Sequence, residues 1–269
     1  MTARERYAHV GYRCPVTALS PAEAAAFRSK LEAFEEEEPE RAPTILRHKG
    51  HVALAWLSEL VRHAGVLDPV AEILGPDLLC WTSNAFIKNP GDGAFVSWHQ
   101  DATYWGLSSD EVVTAWIALS PSTPGNGCMR VVPGSHAAQQ MSHQDTVDDR
   151  NLLTRGQEVA VEVDESEAVD LVLEPGQMSL HHVLIVHGSA PAARGDRRIG
   201  IAVRYVPTSI RQTSGMRDTA TLVRGEDRYG HFDLEPIPKA DMDAEAMAAY
   251  DKVLAASTAL LYRETDQES

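Results

Sequence analysis

Apolar positions recur at helical spacing through the first third of the chain and alternate with polar ones beyond it. Ala24, Phe27, Leu31 and Phe34 fall at three- and four-residue steps, the stripe of an amphipathic helix. Ser20 is a good N-cap, Pro21 suits the first helical position, and Glu23 stands three residues after the cap. The acidic run Glu35 to Glu38, read as a solvated face, and Pro39 end this helix. His51 to Ala64 and Leu67 to Leu74 read as two further helices, closed by Gly65 and Gly75, and residues 1–19 as an irregular arm with one strand near Tyr7 to Tyr12.

From Leu78 the period changes. Leu79 to Lys88 alternates, with Thr82, Asn84, Phe86 and Lys88 on one side and Trp81, Ser83, Ala85 and Ile87 on the other. Further short strands are predicted at Val112 to Leu119, Met129 to Val132, Val159 to Val163, Ala168 to Leu173, Met178 to His182, Leu184 to His187 and Ile199 to Val206. Turn signals between them, such as Asn89-Pro90-Gly91-Asp92-Gly93, point to a sandwich or jelly roll. Residues 137–158 are polar and aperiodic, a long loop of the kind that forms lids or binding loops. Asp241 to Tyr262 reads as a final helix whose apolar side, Met247, Tyr250, Val253, Leu254 and Leu261, packs on the same domain, with a dimer contact as the alternative. The reading is therefore one domain over residues 1–269, with a mainly helical part at 1–77, a β core at 78–210 and the helix at 241–262.

Composition narrows the function classes. Hydrophobic residues make up 43% of the 269 positions, and no tract of about 18 apolar residues offers a membrane span. A net charge of −15 disfavours nucleic acid and anionic membranes, which demand clustered Lys and Arg; it suits a cationic substrate, although most of it reads as solvated surface. The opening residues lack the apolar core of a secretory signal, so a cytoplasmic protein is expected, as monomer or homodimer. Cys14, Cys80 and Cys128 form no Cys-x-x-Cys motif and read as reduced, packed thiols.

The stretch with the most chemistry is Val96-Ser97-Trp98-His99-Gln100-Asp101-Ala102-Thr103-Tyr104-Trp105. In an extended strand residues i and i+2 point to the same side, so His99 and Asp101 can grip one ion together. A third ligand must come from elsewhere, and His187, between a β-branched run and Gly188, is the best candidate. Two His and one carboxylate on a β scaffold form the facial triad that holds non-haem Fe(II) with open positions. Arg198, eleven positions after His187, can clamp a carboxylate by a bidentate fork.

Together with the strand Val112 to Leu119, the turn Gly127-Cys128-Met129-Arg130-Val131-Val132-Pro133-Gly134-Ser135-His136 and the pair Arg204-Tyr205, these residues carry a resemblance. From about Trp81 to Arg204 the chain resembles the phytanoyl-CoA dioxygenase family of Fe(II)- and 2-oxoglutarate-dependent oxygenases. The resemblance implies a double-stranded β-helix, cupin-like, with flanking helices and a metal at one open end of the barrel. It implies Fe(II), with 2-oxoglutarate and O2 as co-substrates, and Arg198 paired with the distal carboxylate of 2-oxoglutarate. Neighbouring Arg197 leaves that choice open, since only one of the two can face the barrel. Ser189 and Trp116 are candidates for the same pocket, with plain packing an equal reading for Trp116. Lys88, sharing a strand face with Asn84 and Phe86, is placed near co-substrate or substrate, with a surface lysine as the alternative. Tyr104 and Trp105 line the mouth or cap the core. His136, His181 and His182 are read as bystanders, and His143 and His231 as solvated.

Halogenating relatives carry a small residue in place of the carboxylate, so Asp101 favours hydroxylation or oxidative cyclisation over chlorination. The expected activity is oxidation of an unactivated C–H bond of a small metabolite, with release of succinate and CO2. The acidic balance makes an amino sugar or another natural-product intermediate the substrate class to test. The competing readings are a metal-dependent isomerase or hydrolase on a cupin-like barrel and a non-catalytic, metal-stabilised binding protein. Neither needs Arg198.

Overall fold

The computed structural model describes residues 1–138, 140–145, 148–153, 157–159 and 163–261. The side chains of 103–104, 143–145, 157–158 and 258–261 lie outside the described residues, and so does Tyr262. No helix among the described residues is long and apolar enough to cross a membrane.

The chain begins with helix α1 (Ala3–Val10) and strand β1 (Tyr12–Thr17), where an irregular arm was expected. A reciprocal capping box between Thr2 and Glu5 starts the helix, and Gly11, in the left-handed region at φ 83°, ends it. Helix α2 (Pro21–Glu37) forms as its caps predict, and Ala24, Phe27, Leu31 and Phe34 are all buried. Each of the three larger side chains contributes roughly 1.5–3 kcal/mol by leaving water. Next come α3 (Ala42–Arg47), α4 (Ala55–Val61) and α5 (Ala64–Leu74). Helix α3 was not anticipated. Gly65 sits at the start of α5 rather than closing a helix, because His63 caps that start through Gly65 N–H, while Gly75 caps the end as expected.

The strands that follow are β2 (Leu78–Lys88), β3 (Val96–His99), β4 (Val113–Ala118), β5 (Arg130–Val131), β6 (His143–Asp145), β7 (Gln157–Val159), β8 (Val169–Asp170), β9 (Gln177–His182), β10 (His187–Ser189), β11 (Arg198–Pro207), β12 (Thr219–Arg224) and β13 (Asp233–Leu234), before helix α6 (Ala244–Leu261). Seven form one sheet in the order β1-β9-β4-β11-β2-β12-β13, and four form a second, β3-β10-β5-β8. These sheets and their flanking helices are the jelly-roll, double-stranded β-helix architecture. Across the expected loop at 137–158, β6 pairs with β7, which ends at Val159; of the rest of the strand predicted at 159–163, residues 160–162 lie outside the described residues and Val163 is in no strand.

The large sheet separates two environments. Ile199, Ile201, Val203 and Tyr205 of β11 point to the helices, together with Ala115 and Ile117 of β4 and Met178 and Leu180 of β9. Tyr250 and Val253 of α6 join the same core, so the last helix packs on its own chain. The alternate residues of those strands face the second sheet, including Ala202 and Trp116. Trp81 departs from the predicted alternation. Arg204 pairs with Thr82 and Tyr205 with Cys80, so Trp81 is the extra residue of a β-bulge. The bulge turns its indole away from the helices, and its Nε1 donates to Asp218 at 2.7 Å.

Candidate metal centre

Strand β3 ends at His99 and β10 begins at His187, and the two residues are direct partners in an antiparallel pair. Their rings lie 4.1 Å apart between centroids. The extended run stops at Gln100, and Asp101 opens a turn of 3₁₀ helix instead of continuing a strand. Gln100 keeps extended dihedrals, so the same-side geometry of His99 and Asp101 survives, and Asp101 N–H is pinned to Val183 O at 3.0 Å. One ligating atom from each of His99, Asp101 and His187 lies within 4.8 Å of the others, and all three residues are buried.

The hydrogen bonds set the imidazoles for ligation. His99 Nδ1 meets Ser97 O at 2.9 Å and His187 Nδ1 meets Ile185 O at 3.0 Å. A carbonyl only accepts, so each Nδ1 carries the proton and each Nε2 presents its lone pair. Burial first, and His99 beside it second, push the pKa of His187 well down, which keeps the ring neutral. Burial alone would raise the Asp101 carboxyl, but the Arg204 guanidinium holds it well below the usual carboxylate range. A carboxylate and two neutral imidazoles are the protonation states that metal binding requires. The donor set therefore fits a divalent transition ion such as Fe(II).

A cavity opens beside this cluster, with His99, His187, Ser189 and Arg198 in its wall. Strand alternation settles the arginine pair. Arg198 is 2% exposed and lines the cavity, whereas Arg197 reaches outward to Glu35 of α2, at 2.8 and 2.7 Å. Arg198 Nη1 donates to Gly127 O, and its guanidinium lies 5.2 Å over the Trp116 ring. Trp116 is both packed and part of the cavity wall; its indole sits where a Cβ on Gly200 would collide with it. Phe86 also lines the cavity. Lys88 is not at the surface and not in the cavity wall. It stands behind Ser189, with Nζ 2.6 Å from Ser189 Oγ.

Asn84 lies outside the cavity wall and braces it, accepting from Arg204 Nη1 and donating to Arg47 O. Trp105 packs on Trp81, 5.0 Å between centroids, and 5.4 Å from the Arg204 guanidinium. The side chain of Tyr104 lies outside the described residues, as does that of His143.

Two of the residues facing the centre were not anticipated there. His181, read as a bystander, is buried in the cavity wall with its ring 4.9 Å from His187. Residues 183–186 form a turn that carries the chain from one sheet to the other, and His181, six residues before His187, still faces the same side while His182 does not. Burial lowers the pKa of His181 to about 4, leaving it uncharged at neutral pH. Arg204 is the other: its Nη2 lies 3.4 Å from Asp101 Oδ1, while Thr114 Oγ1 lies 3.3 Å from Oδ2. Arg204 follows Arg198 by six residues on one strand, and that spacing signals a shared face. His182 does point away, packing near Tyr7 and His136, and His136 bonds Ala8 O. His231 stacks on exposed Tyr229.

Comparison with known proteins agrees with this geometry. The sequence model of the family described as Phytanoyl-CoA dioxygenase (PhyH) matches residues 7–200. A probable alpha-ketoglutarate-dependent hypophosphite dioxygenase of Stutzerimonas stutzeri is 29% identical over 177 residues, 64% of this chain and 60% of that protein. The match thus spans less than two thirds of that relative's length. Among solved structures, the apo form of the non-heme monooxygenase ThoJ superposes with a TM-score of 0.87 at 34% identity, covering 100% of both chains. CytC3 with Fe(II) and alpha-ketoglutarate gives a TM-score of 0.65 at 26% identity, over 86% of this chain and 91% of that one.

Proposed function

This chain belongs to the phytanoyl-CoA dioxygenase family of Fe(II)- and 2-oxoglutarate-dependent oxygenases, and from that premise we propose that it oxidises an unactivated C–H bond of a small metabolite, releasing succinate and CO2. The observation that carries the reading is the convergence of His99, Asp101 and His187 beside one cavity whose wall also holds buried Arg198. Iron, when bound there, supplies activation of O2 at the expense of 2-oxoglutarate. His99 and His187 offer Nε2 and Asp101 a carboxylate oxygen, while Arg204 and Thr114 hold that carboxylate from behind. Arg198 takes the distal carboxylate of 2-oxoglutarate by its fork, and the Ser189 hydroxyl shares it. Trp116 and Phe86 give the cavity apolar walls that exclude water from the reacting carbon.

Asp101 occupies a ligand position that chlorination would require to be vacated, so hydroxylation or oxidative ring closure is the expected outcome. The substrate meets the mouth near Tyr104 and Trp105, with Asn84 fixing Arg204 beneath. A net charge of −15 supports a cationic substrate, an amino sugar or a related natural-product intermediate. Three free cysteines agree with a reducing, cytoplasmic setting. A Lewis-acid isomerase, or a binding module with a structural metal, has no use for Arg198 in the cavity.

The test is a metabolite screen with Fe(II), 2-oxoglutarate and O2. The substrate is the compound that accelerates succinate release and is converted to a product with one more oxygen atom or two fewer hydrogens. If no member of a broad panel of amino sugars and other cationic metabolites does so, the substrate class is wrong; if 2-oxoglutarate is not decarboxylated with any compound, the activity is wrong.

A further inference from the structure

Lys88 is 0% exposed, an unusual place for an ammonium group without a counter-ion. Its Nζ has three neighbours at hydrogen-bonding distance: Ser189 O at 3.1 Å, Ala190 O at 2.6 Å and Ser189 Oγ at 2.6 Å. None is a carboxylate. Of the other groups facing it, Arg198 comes from β11, Asp92 from the turn after β2, and Cys128 from the turn before β5. The Asp92 oxygens are engaged by the N–H groups of Asn89 and Ala94. Two buried basic side chains thus stand close together, Arg198 in the cavity wall and Lys88 behind Ser189, and among the described residues neither is paired with an acid.

The three neighbours can satisfy Lys88 in either protonation state. Two are carbonyls, which only accept, and one is a hydroxyl, which accepts or donates. A neutral amine has two N–H bonds for the carbonyls and a lone pair for the Ser189 O–H. An ammonium has three N–H bonds, and the Ser189 oxygen then accepts the third. Turning one hydroxyl converts one arrangement into the other. Ser189 is also the member of the set that lines the cavity.

Resting on the reading of this cavity as the 2-oxoglutarate site, we propose that binding of the co-substrate is coupled to uptake of one proton by Lys88, with the Ser189 hydroxyl as the link. A carboxylate seated against Arg198 accepts the Ser189 O–H. The serine oxygen then presents only lone pairs to Nζ, and all three neighbours require a donor. A proton from solvent completes the ammonium; no other bond is made or broken. The incoming negative charge favours the same state. Consistent with the empty site holding an amine, burial first and the Arg198 charge second lower the pKa of Lys88 to about 6. Lys88 touches no ligand in this scheme and is a positioning residue that acts through Ser189.

The experiment is calorimetric titration of the Ni(II)-loaded protein with 2-oxoglutarate near pH ~7.5, in buffers of different ionisation enthalpy. The slope of observed heat against buffer enthalpy counts the protons. Wild type is expected to take up about one, and its affinity to fall by up to about tenfold per unit rise in pH above the free-site value. Lys88→Arg, permanently charged, is expected to bind the co-substrate with no uptake; should it not fold, Lys88→Met serves in its place. Binding by wild type without proton uptake, or undiminished uptake in the variant, overturns the inference and leaves the oxygenase reading intact. Absence of any 2-oxoglutarate binding overturns that reading and the inference with it.

Discussion

At the scale of single residues, the proposed function divides tasks among the charged groups around the cavity. On that reading, Arg198 supplies a fork for a carboxylate and takes no part in metal ligation. Arg198→Met is therefore expected to weaken 2-oxoglutarate binding by roughly 10- to 100-fold, the worth of charged hydrogen bonds, while Ni(II) affinity stays unchanged. Paired titrations of metal and co-substrate check this; equal losses in both would point to general collapse of the site. Gly200 is a second test at this scale, because the Trp116 indole fills the space its Cβ would need. Gly200→Ala should displace that ring and cost about 1–3 kcal/mol in urea unfolding, as overpacking does.

His99 and Asp101 were legible in the sequence because spacing alone puts them on one side of an extended chain, even though the strand stops between them. Arg198 was preferred to Arg197 on its spacing from His187, and the structure shows Arg197 turned outward to α2. His181 was missed although its spacing offered a signal: it stands six residues before His187, an even step that places the two on one side, and only the turn at 183–186 made that count uncertain.

At the scale of elements, the helices hold the large sheet from behind through a buried polar knot as well as an apolar core. Lys49 Nζ meets Glu235 Oε1 at 2.8 Å, His51 Nε2 lies 3.2 Å from Oε2, and Thr221 of β12 donates to the same carboxylate at 2.7 Å. The knot fastens the segment after β13 to the residues that precede α4. Burial alone would raise the Glu235 carboxyl, but the Lys49 ammonium and His51 hold it well below the usual carboxylate range. Glu235→Gln leaves Lys49 buried without its counter-charge and is expected to cost about 3–5 kcal/mol at neutral pH.

A group whose pKa is depressed on folding contributes stability above its unfolded value and loses it as pH falls. The gap between wild type and Glu235→Gln should therefore be constant down to pH ~4.5 and shrink below it. Chemical unfolding across that range reads it out, and a gap that widens on acidification would contradict the assignment. None of this knot was visible beforehand, since β12 and β13 give weak periodic signals. The caps of α2, by contrast, are local and were read directly. The capping box at Thr2 and Glu5 was equally local but was masked by the short, polar look of the arm. The bulge at Trp81 could not be read, because a bulge is a property of two strands and only one is present in any window.

At the scale of the whole molecule, the jelly-roll class followed from many short alternating strands, but the strand order did not. Strand β1 travels far in sequence to edge the large sheet beside β9, and β12 extends it at the other side. Such pairings are set by long-range packing that no local pattern encodes. What the complete fold achieves is to bring His187 beside His99 on adjacent strands of one sheet and to set Arg198 into the cavity they share. The measurement that tests this most directly is O2-dependent succinate formation from 2-oxoglutarate by Fe(II)-loaded protein, in wild type and in His99→Ala, Asp101→Ala and His187→Ala. Succinate is expected from wild type, with a loss of at least roughly 100-fold in each variant. Undiminished succinate from any of the three would remove that residue from the centre, and none from wild type, in the presence of a substrate, would end the account.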